Sequence, residues 1–256
     1  MTDQTYMQAM EKVLEQGTSD IDVYLGLSQL YLQSHQAHKA KKLLLRALTF
    51  GVDHPGLHDF LAIANIELKL RILAEVEVKK ALDLDKNNAF LFRRLGFIYI
   101  MERRYKDAYD AFSQSFQIQQ DTEIQEKIAE LAQRIEEIKV SVLFCQHALD
   151  LSDLLPETWS NLAQSLIEIG KYDDAIEAFR QAFKLSQDVT HILNLGYIFA
   201  IQGRYDYATE CFRKVISEDN ANAEAWRYLG QIEEILSNYE SATASYERAT
   251  QLEEAW

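Results

Sequence analysis

The sequence predicts an all-α protein, a solenoid of about seven two-helix repeats behind one N-terminal helix. Three observations carry this reading. Only two prolines and nine glycines occur in 256 residues, far fewer than the turns of a β-rich chain require. The hydrophobic fraction is 48%, enough for a core and too high for a disordered chain. The chain also repeats itself at a fixed period.

The period shows in three columns. A small residue recurs at Ala40, Ala74, Ala108, Ser141, Ala175, Ala208 and Ala242, in steps of 34, 34, 33, 34, 33 and 34. The columns Ala47, Ala81, Ser115, Ala148, Ala182, Val215, Ala249 and Leu27, Leu61, Leu95, Ile128, Leu162, Leu195, Leu229 keep the same steps. A repeat of this length is one supersecondary unit. Its two antiparallel helices bury their apolar faces only against each other and the next unit. Gly or Ala on the first helix lets the second approach, and Phe112, Phe179, Phe212 and Tyr246 fill the space between.

Residues 1–20 complete no unit. TYMQAMEKVLEQG places Tyr6, Met10 and Val13 on one face, so a lone capping helix is expected. Residues 21–121 hold units one to three. Residues 122–155 form the weakest unit, where Ser141 and Cys145 replace the alanine and the aromatic and no turn residue breaks EKIAELAQRIEEIKVSV. There Ile124, Ile128, Leu131, Ile135, Ile138 and Val142 form a heptad seam, so one long helix or a coiled-coil pairing competes with a helix pair. The columns stay in phase, which favours the helix pair, with a hinge expected near residue 121. Residues 156–256 hold units five to seven. Pro55 and Pro156 open units, where proline suits the first helical turn. The chain stops at QLEEAW, so a last unit without a polar cap is expected to expose Leu252 and Trp256 for self-association, unless the natural chain continues.

The units resemble the tetratricopeptide repeat (TPR) family, whose pattern is W-x2-L-G-x2-Y…A-x3-F at about 34 residues. The residues that carry the resemblance are Trp159, Leu162, Ala163 with Ala175 and Phe179, then Trp226, Leu229, Gly230 with Ala242 and Tyr246, then Phe92, Leu95, Gly96, Tyr99 with Ala108 and Phe112. The resemblance covers roughly residues 21–256 and lacks the family's proline near the end of each unit. It implies a right-handed TPR superhelix whose first helices line a concave groove. It does not imply a particular function, since one fold hosts many.

Projecting that groove gives Leu25, Gln29 and Leu32, then Ile63 and Ile66, then Phe90, Arg93, Phe97, Ile100 and Met101, and later Leu193, Tyr197 and Ile201. The face is more apolar than a wet groove needs, so either the N-terminal helix or a curled superhelix covers it, or it takes an extended or helical peptide, with Arg93 fixing the orientation. Some TPR modules grip C-terminal carboxylates of heat-shock chaperones with lysines and asparagines. Here Asn161 and Asn194 match one asparagine column, but Ser160, Gln164, Glu224 and Arg227 stand around them, so that clamp is not expected.

The net charge of -14 argues against nucleic acid or an anionic membrane surface. Residues 1–128 carry 16 Lys+Arg and 18 Asp+Glu, and residues 129–256 carry 10 and 22, so most of the charge lies in the second half. Cys145 and Cys211 are too few for a disulfide framework and read as reduced core thiols. No basic, apolar leader opens the chain and no run approaches a membrane span, so a soluble cytoplasmic protein is expected.

No motif for enzymatic chemistry stands out. Gly196 and Gly203 are seven apart, not the five of a phosphate-binding loop. His35 with His38 and His54 with His58 lack a third ligand at suitable spacing. Arg103, Arg104, Tyr105 and Lys106 read as a solvated turn. No cofactor, metal or catalytic residue is expected. The sequence thus predicts a non-catalytic adaptor or scaffold for a protein segment, chaperone-like in one version that resembles the TPR chaperones of bacterial secretion systems. The alternative is a homo-oligomeric assembly protein joined through the C-terminal face and the 124–142 seam.

Overall fold

The computed structural model describes residues 3–15, 17–18, 20–51, 53–151 and 155–254. Among them are fourteen α-helices and no strand. They are α1 (Asp3–Glu15), α2 (Ile21–Gln33), α3 (Ala37–Thr49), α4 (Pro55–Glu67), α5 (Arg71–Leu84), α6 (Ala89–Met101) and α7 (Tyr105–Ile118), followed by α8 (Thr122–Leu151), α9 (Pro156–Glu168), α10 (Tyr172–Ser186), α11 (Val189–Ile201), α12 (Tyr205–Glu218), α13 (Ala223–Ile235) and α14 (Tyr239–Glu254). The all-α solenoid class holds. The chain divides into two compact units, residues 1–98 with 111–121 and residues 99–110 with 122–256.

Six hairpin turns share one conformation. Each turns on a residue five positions before the column alanine, with φ of 54° at His35, 60° at Lys69, 57° at Arg103, 76° at Gly170, 74° at Gly203 and 63° at Ser237. The next residue then donates its N–H to the carbonyl five back, as Gln36 does to Tyr31 (2.8 Å), Lys171 to Leu166 (2.8 Å) and Arg204 to Phe199 (2.8 Å). This left-handed closure caps the first helix of each pair and starts the second. Glycine takes it without strain, whereas His35, Lys69, Arg103 and Ser237 hold it at a cost of about 1–2 kcal/mol each. Several of the first helices are capped at their starts by side chains. Asp20 accepts from Asp22 N at 3.0 Å, Asp188 from Thr190 N at 2.8 Å and Asn222 from Ala225 N at 2.9 Å.

In the first unit α1 packs on α2, and α2 to α5 stack in chain order. Leu14 is buried, and Met7 and Met10 pack on the same cluster, while Val13 is exposed. Met10 thus lies on the packed face as expected, joined by Met7 and Leu14, whereas Val13 does not. The Tyr6 side chain lies outside the described residues. Gly26 admits the Met10 methyl, which would lie 2.9 Å from an added Cβ.

The second unit stacks α8 to α14 in chain order. Its core is built from the repeat columns, with Ala175, Phe179, Ala182, Ala208, Phe212 and Val215 all buried. Cys211 and Cys145 are free and half-buried, and burial pushes the Cys211 thiol up to about 11.

The fourth repeat departs from the expected helix pair. Residues 122–151 form one continuous helix of 30 residues. The position five before Ser141 is Glu136, and it continues the helix instead of turning. Side chains tie the backbone across it, Lys139 to Glu136 at 2.6 Å, Gln133 to Glu137 at 3.2 Å and Arg134 to Glu137 at 3.4 Å. Pairs at this spacing favour helix, and no glycine opposes them. The seam residues Ile124, Leu131, Ile135, Ile138 and Val142 are buried within the chain. That seam is not available for pairing with another chain.

Candidate functional site

The first helices of the repeats place the projected groove residues as follows. In the first unit, Leu25, Ile63 and Ile66 are half-buried and Gln29 is exposed. Leu32 is buried in the core cluster of α1 to α4. It occupies the last turn of α2 beside Tyr31, which also belongs to the core, and so presents nothing to a ligand. On α6 the residues Phe90, Arg93 and Phe97 recur at i, i+3 and i+7, one face of a helix. Phe90 is 63% exposed and Phe97 40%. The Arg93 guanidinium sits 5.4 Å from the Phe90 ring and pairs with Asp121 at 2.8 Å. Phe97 is held edge-on to Phe112, ring centroids 5.2 Å apart, so it is a fixed aromatic and not a floppy one. This close approach is possible because residue 96 is glycine, where a Cβ would lie 2.8 Å from the Phe112 ring.

In the second unit Met101 is 40% exposed, and Ile100 and Ile201 are half-buried. Leu193 is buried. Tyr197 is half-buried and donates its hydroxyl to Glu102 Oε2 at 2.5 Å. Burial and the Glu102 charge hold its phenol protonated far above the ordinary range. Beside it Tyr228 donates to Glu224 at 3.1 Å, with the two tyrosine rings 5.8 Å apart. Glu102, Gln164, Asn194, Tyr197, Glu224 and Tyr228 line a cavity of about 140 Å³ together with Ile167 and Leu193. The lining around Tyr197 is mostly polar and carries the two acids Glu102 and Glu224. Leu252 is half-buried, and Trp256 lies outside the described residues.

The basic cluster after α6 also differs from the expected solvated turn. Arg104 is buried, with Nε 2.8 Å from Asp107 Oδ2 and 2.9 Å from the Tyr172 hydroxyl. Tyr172 donates to the same Asp107 carboxylate, and the guanidinium lies 4.3 Å from the Tyr99 ring. Burial, with the Asp107 charge, raises the Tyr172 phenol well above its ordinary value, although Arg104 opposes the shift. Arg103 reaches the buried Glu168 at 2.6 Å. These are structural networks, and they consume the cluster's charge.

In the first unit His58 is buried between two carboxylates, Nδ1 to Glu77 at 2.6 Å and Nε2 to Asp53 at 2.8 Å. Both ring nitrogens are thereby engaged. Among the described residues no group of three His, Cys, Asp or Glu side chains is placed to hold a metal ion, and no helix is long and apolar enough to cross a membrane.

Family models of the tetratricopeptide repeat match residues 156–188 and 193–255. The chain is 25% identical over 186 residues to the protein O-mannosyl-transferase TMTC1 of Homo sapiens, covering 70% of this chain and 21% of that protein. It is 21% identical over 210 residues to the tetratricopeptide repeat-containing protein trd-1 of Caenorhabditis elegans, covering 80% of this chain and 26% of that protein. The chain thus spans about a quarter or less of these curated relatives. Among solved structures, YrrB, a TPR protein with an unusual peptide-binding site, aligns at a TM-score of 0.36 and 16% identity, covering 96% of this chain and 93% of that one. Residues 156–188 and 193–255 thus match the tetratricopeptide repeat, and the same 33- and 34-residue period and small-residue columns run on through the rest of the chain.

Proposed function

We propose that this chain is a non-catalytic adaptor that holds an apolar segment of another protein against the first helices of its repeats. The observation that carries the reading is the outward pair Phe90 and Phe97 on α6, with Arg93 between them. Neither aromatic is required by the repeat columns, and their exposure places large apolar area in water. Covering one such ring is worth on the order of 1.5–3 kcal/mol. An extended or helical segment with two apolar residues would cover both rings, while Arg93, already fixed by Asp121, offers its remaining N–H groups to a carbonyl or carboxylate of the ligand. Leu25, Ile63 and Ile66 lie on the equivalent first-helix face of α2 and α4. Leu32 and Leu193 take no part. A chaperone-like use, in which the face shields a cargo segment until hand-over, is one form of this activity. The experiment is photo-crosslinking with a benzoyl-phenylalanine at position 97, compared with one at the exposed position 110 on α7. A protein adduct formed from position 97 and absent from 110 supports the reading, and equal yields from both positions reject it.

A further inference from the structure

We propose that α8 is a self-association element, through which two copies of this chain pair antiparallel about a two-fold axis at Glu136. This goes beyond the adaptor reading and uses none of its residues. The inward seam of α8 is spent within the chain. The opposite stripe is exposed along its length and runs Gln125, Ala129, Ala132, Glu136, Val140, Leu143, His147. Its steps are four, three, four, four, three and four, the spacing of one helical face.

Those steps read the same from either end. A second α8 turned through 180° about Glu136 therefore meets the first position by position. Ala132 lies against Val140, Ala129 against Leu143, and Gln125 against His147. The N-terminal half of the stripe is small and the C-terminal half is large. Val140 is 52% exposed, Leu143 64%, and the adjoining Phe144 71%, a cluster too large and too apolar for an idle surface. Alanines let the facing helix approach closely while the large side chains fill the space between. The charges agree with this register. The two Glu136 carboxylates meet at the axis, each bound to its own Lys139 at 2.6 Å, and each Lys139 lies within one turn of the other copy's Glu136. Two acids and two ammonium groups thus share the centre. The occupant that supplies small residues opposite 140–144, large ones opposite 129–132 and a balancing charge between them is α8 itself.

A competing arrangement has a distinct signature. In three of the hairpins a glycine of the first helix faces the aromatic of the second, Gly96 facing Phe112, Gly196 facing Phe212 and Gly230 facing Tyr246. The equivalents in the fourth repeat are Ala129 and Cys145. If residues 122–151 folded back on themselves, Ala129 would face Cys145 of the same chain instead of Leu143 of another.

The test is sedimentation of the full chain over roughly 1–200 μM, with the Leu143→Glu/Phe144→Glu variant as its control. The wild type is expected to form a reversible dimer in the micromolar range. The variant, altered only at exposed positions, is expected to stay monomeric with unchanged helical circular dichroism. Cross-linking then fixes the register. In a chain carrying Cys145→Ser and Cys211→Ser, the pair Ala129→Cys/Leu143→Cys is expected to give a disulfide-linked dimer under mild oxidation. The misregistered pair Gln125→Cys/Leu143→Cys should give at least tenfold less. A wild-type chain that is monomeric throughout, a dimer indifferent to the two glutamates, equal cross-linking of both pairs, or, in a separate chain that keeps Cys145 and carries only Ala129→Cys, an intrachain disulfide between position 129 and Cys145 in place of a dimer would each overturn the proposal.

Discussion

Gly196 and Phe212 meet so closely that a Cβ on the glycine would lie 2.6 Å from Cε1 of the ring. The same contact joins Gly230 to Tyr246, at 2.7 Å. Gly196→Ala must therefore push the Phe212 ring out of a fully buried site, and overpacking of this kind costs about 1–3 kcal/mol. Gly203, seven residues on, has φ of +74° and nothing within 4 Å of an added Cβ. There alanine meets only backbone strain, about 1–2 kcal/mol. Urea unfolding should thus rank Gly196→Ala below Gly203→Ala in stability, and the reverse order would contradict the packing account.

The His58–Glu77 pair predicts a pH dependence. Burial alone would lower the histidine pKa, but the hydrogen bonds and charges of Glu77 and Asp53 overrule it and hold it above 6.5. Burial likewise opposes the Glu77 charge, yet His58 and Lys80 bring its pKa below 4.5. A raised histidine stabilises fully below its unfolded value and loses that contribution as pH rises through its folded value. A depressed carboxylate stabilises above its unfolded value and loses its contribution as pH falls through its folded value. The pair should contribute most between about pH 4.5 and 6.5. Thermal unfolding should show stability falling as pH rises beyond that window, and His58→Gln should flatten the fall. An unchanged slope in the variant would show that the pair is not its source.

Arg104 organises a second buried network. Arg104→Met leaves Asp107 and the Tyr172 hydroxyl without their cation, and breaking a buried pair from one side costs about 3–5 kcal/mol. Asp107 keeps some contact with solvent, so the lower end of that range is expected. Tyr172→Phe removes only hydrogen bonds and should cost about 1 kcal/mol. A double-mutant cycle should give a coupling above about 0.5 kcal/mol. Strict additivity would mean that the two side chains act independently.

Much of the fold was legible because the repeat constrains it. The alanine and small-residue columns mark where helices touch, and such contacts tolerate few residue types. The turns were less legible. Four of the six left-handed turn residues are His35, Lys69, Arg103 and Ser237, which no composition rule assigns to that conformation. The same gap explains the fourth repeat, whose columns stay in phase while Glu136 sits where a turn would form and helix-favouring pairs span it. The site was legible only in part. The exposed aromatics of α6 follow from helical spacing, yet Leu32 and Leu193 occupy projected groove positions and are buried. The Tyr197–Glu102 pair joins residues 95 apart in sequence, a contact that needs the stacked helices to exist first.

The central claim is that the α6 face binds an apolar protein segment through Phe90 and Phe97. It is tested most directly by selecting displayed random peptides on the wild-type chain and titrating the enriched sequences against Phe90→Glu/Phe97→Glu. The account predicts peptides with spaced apolar residues that bind the wild type and lose at least tenfold in affinity, about 1.4 kcal/mol or more, on the variant. Enriched peptides that bind both chains equally would contradict it.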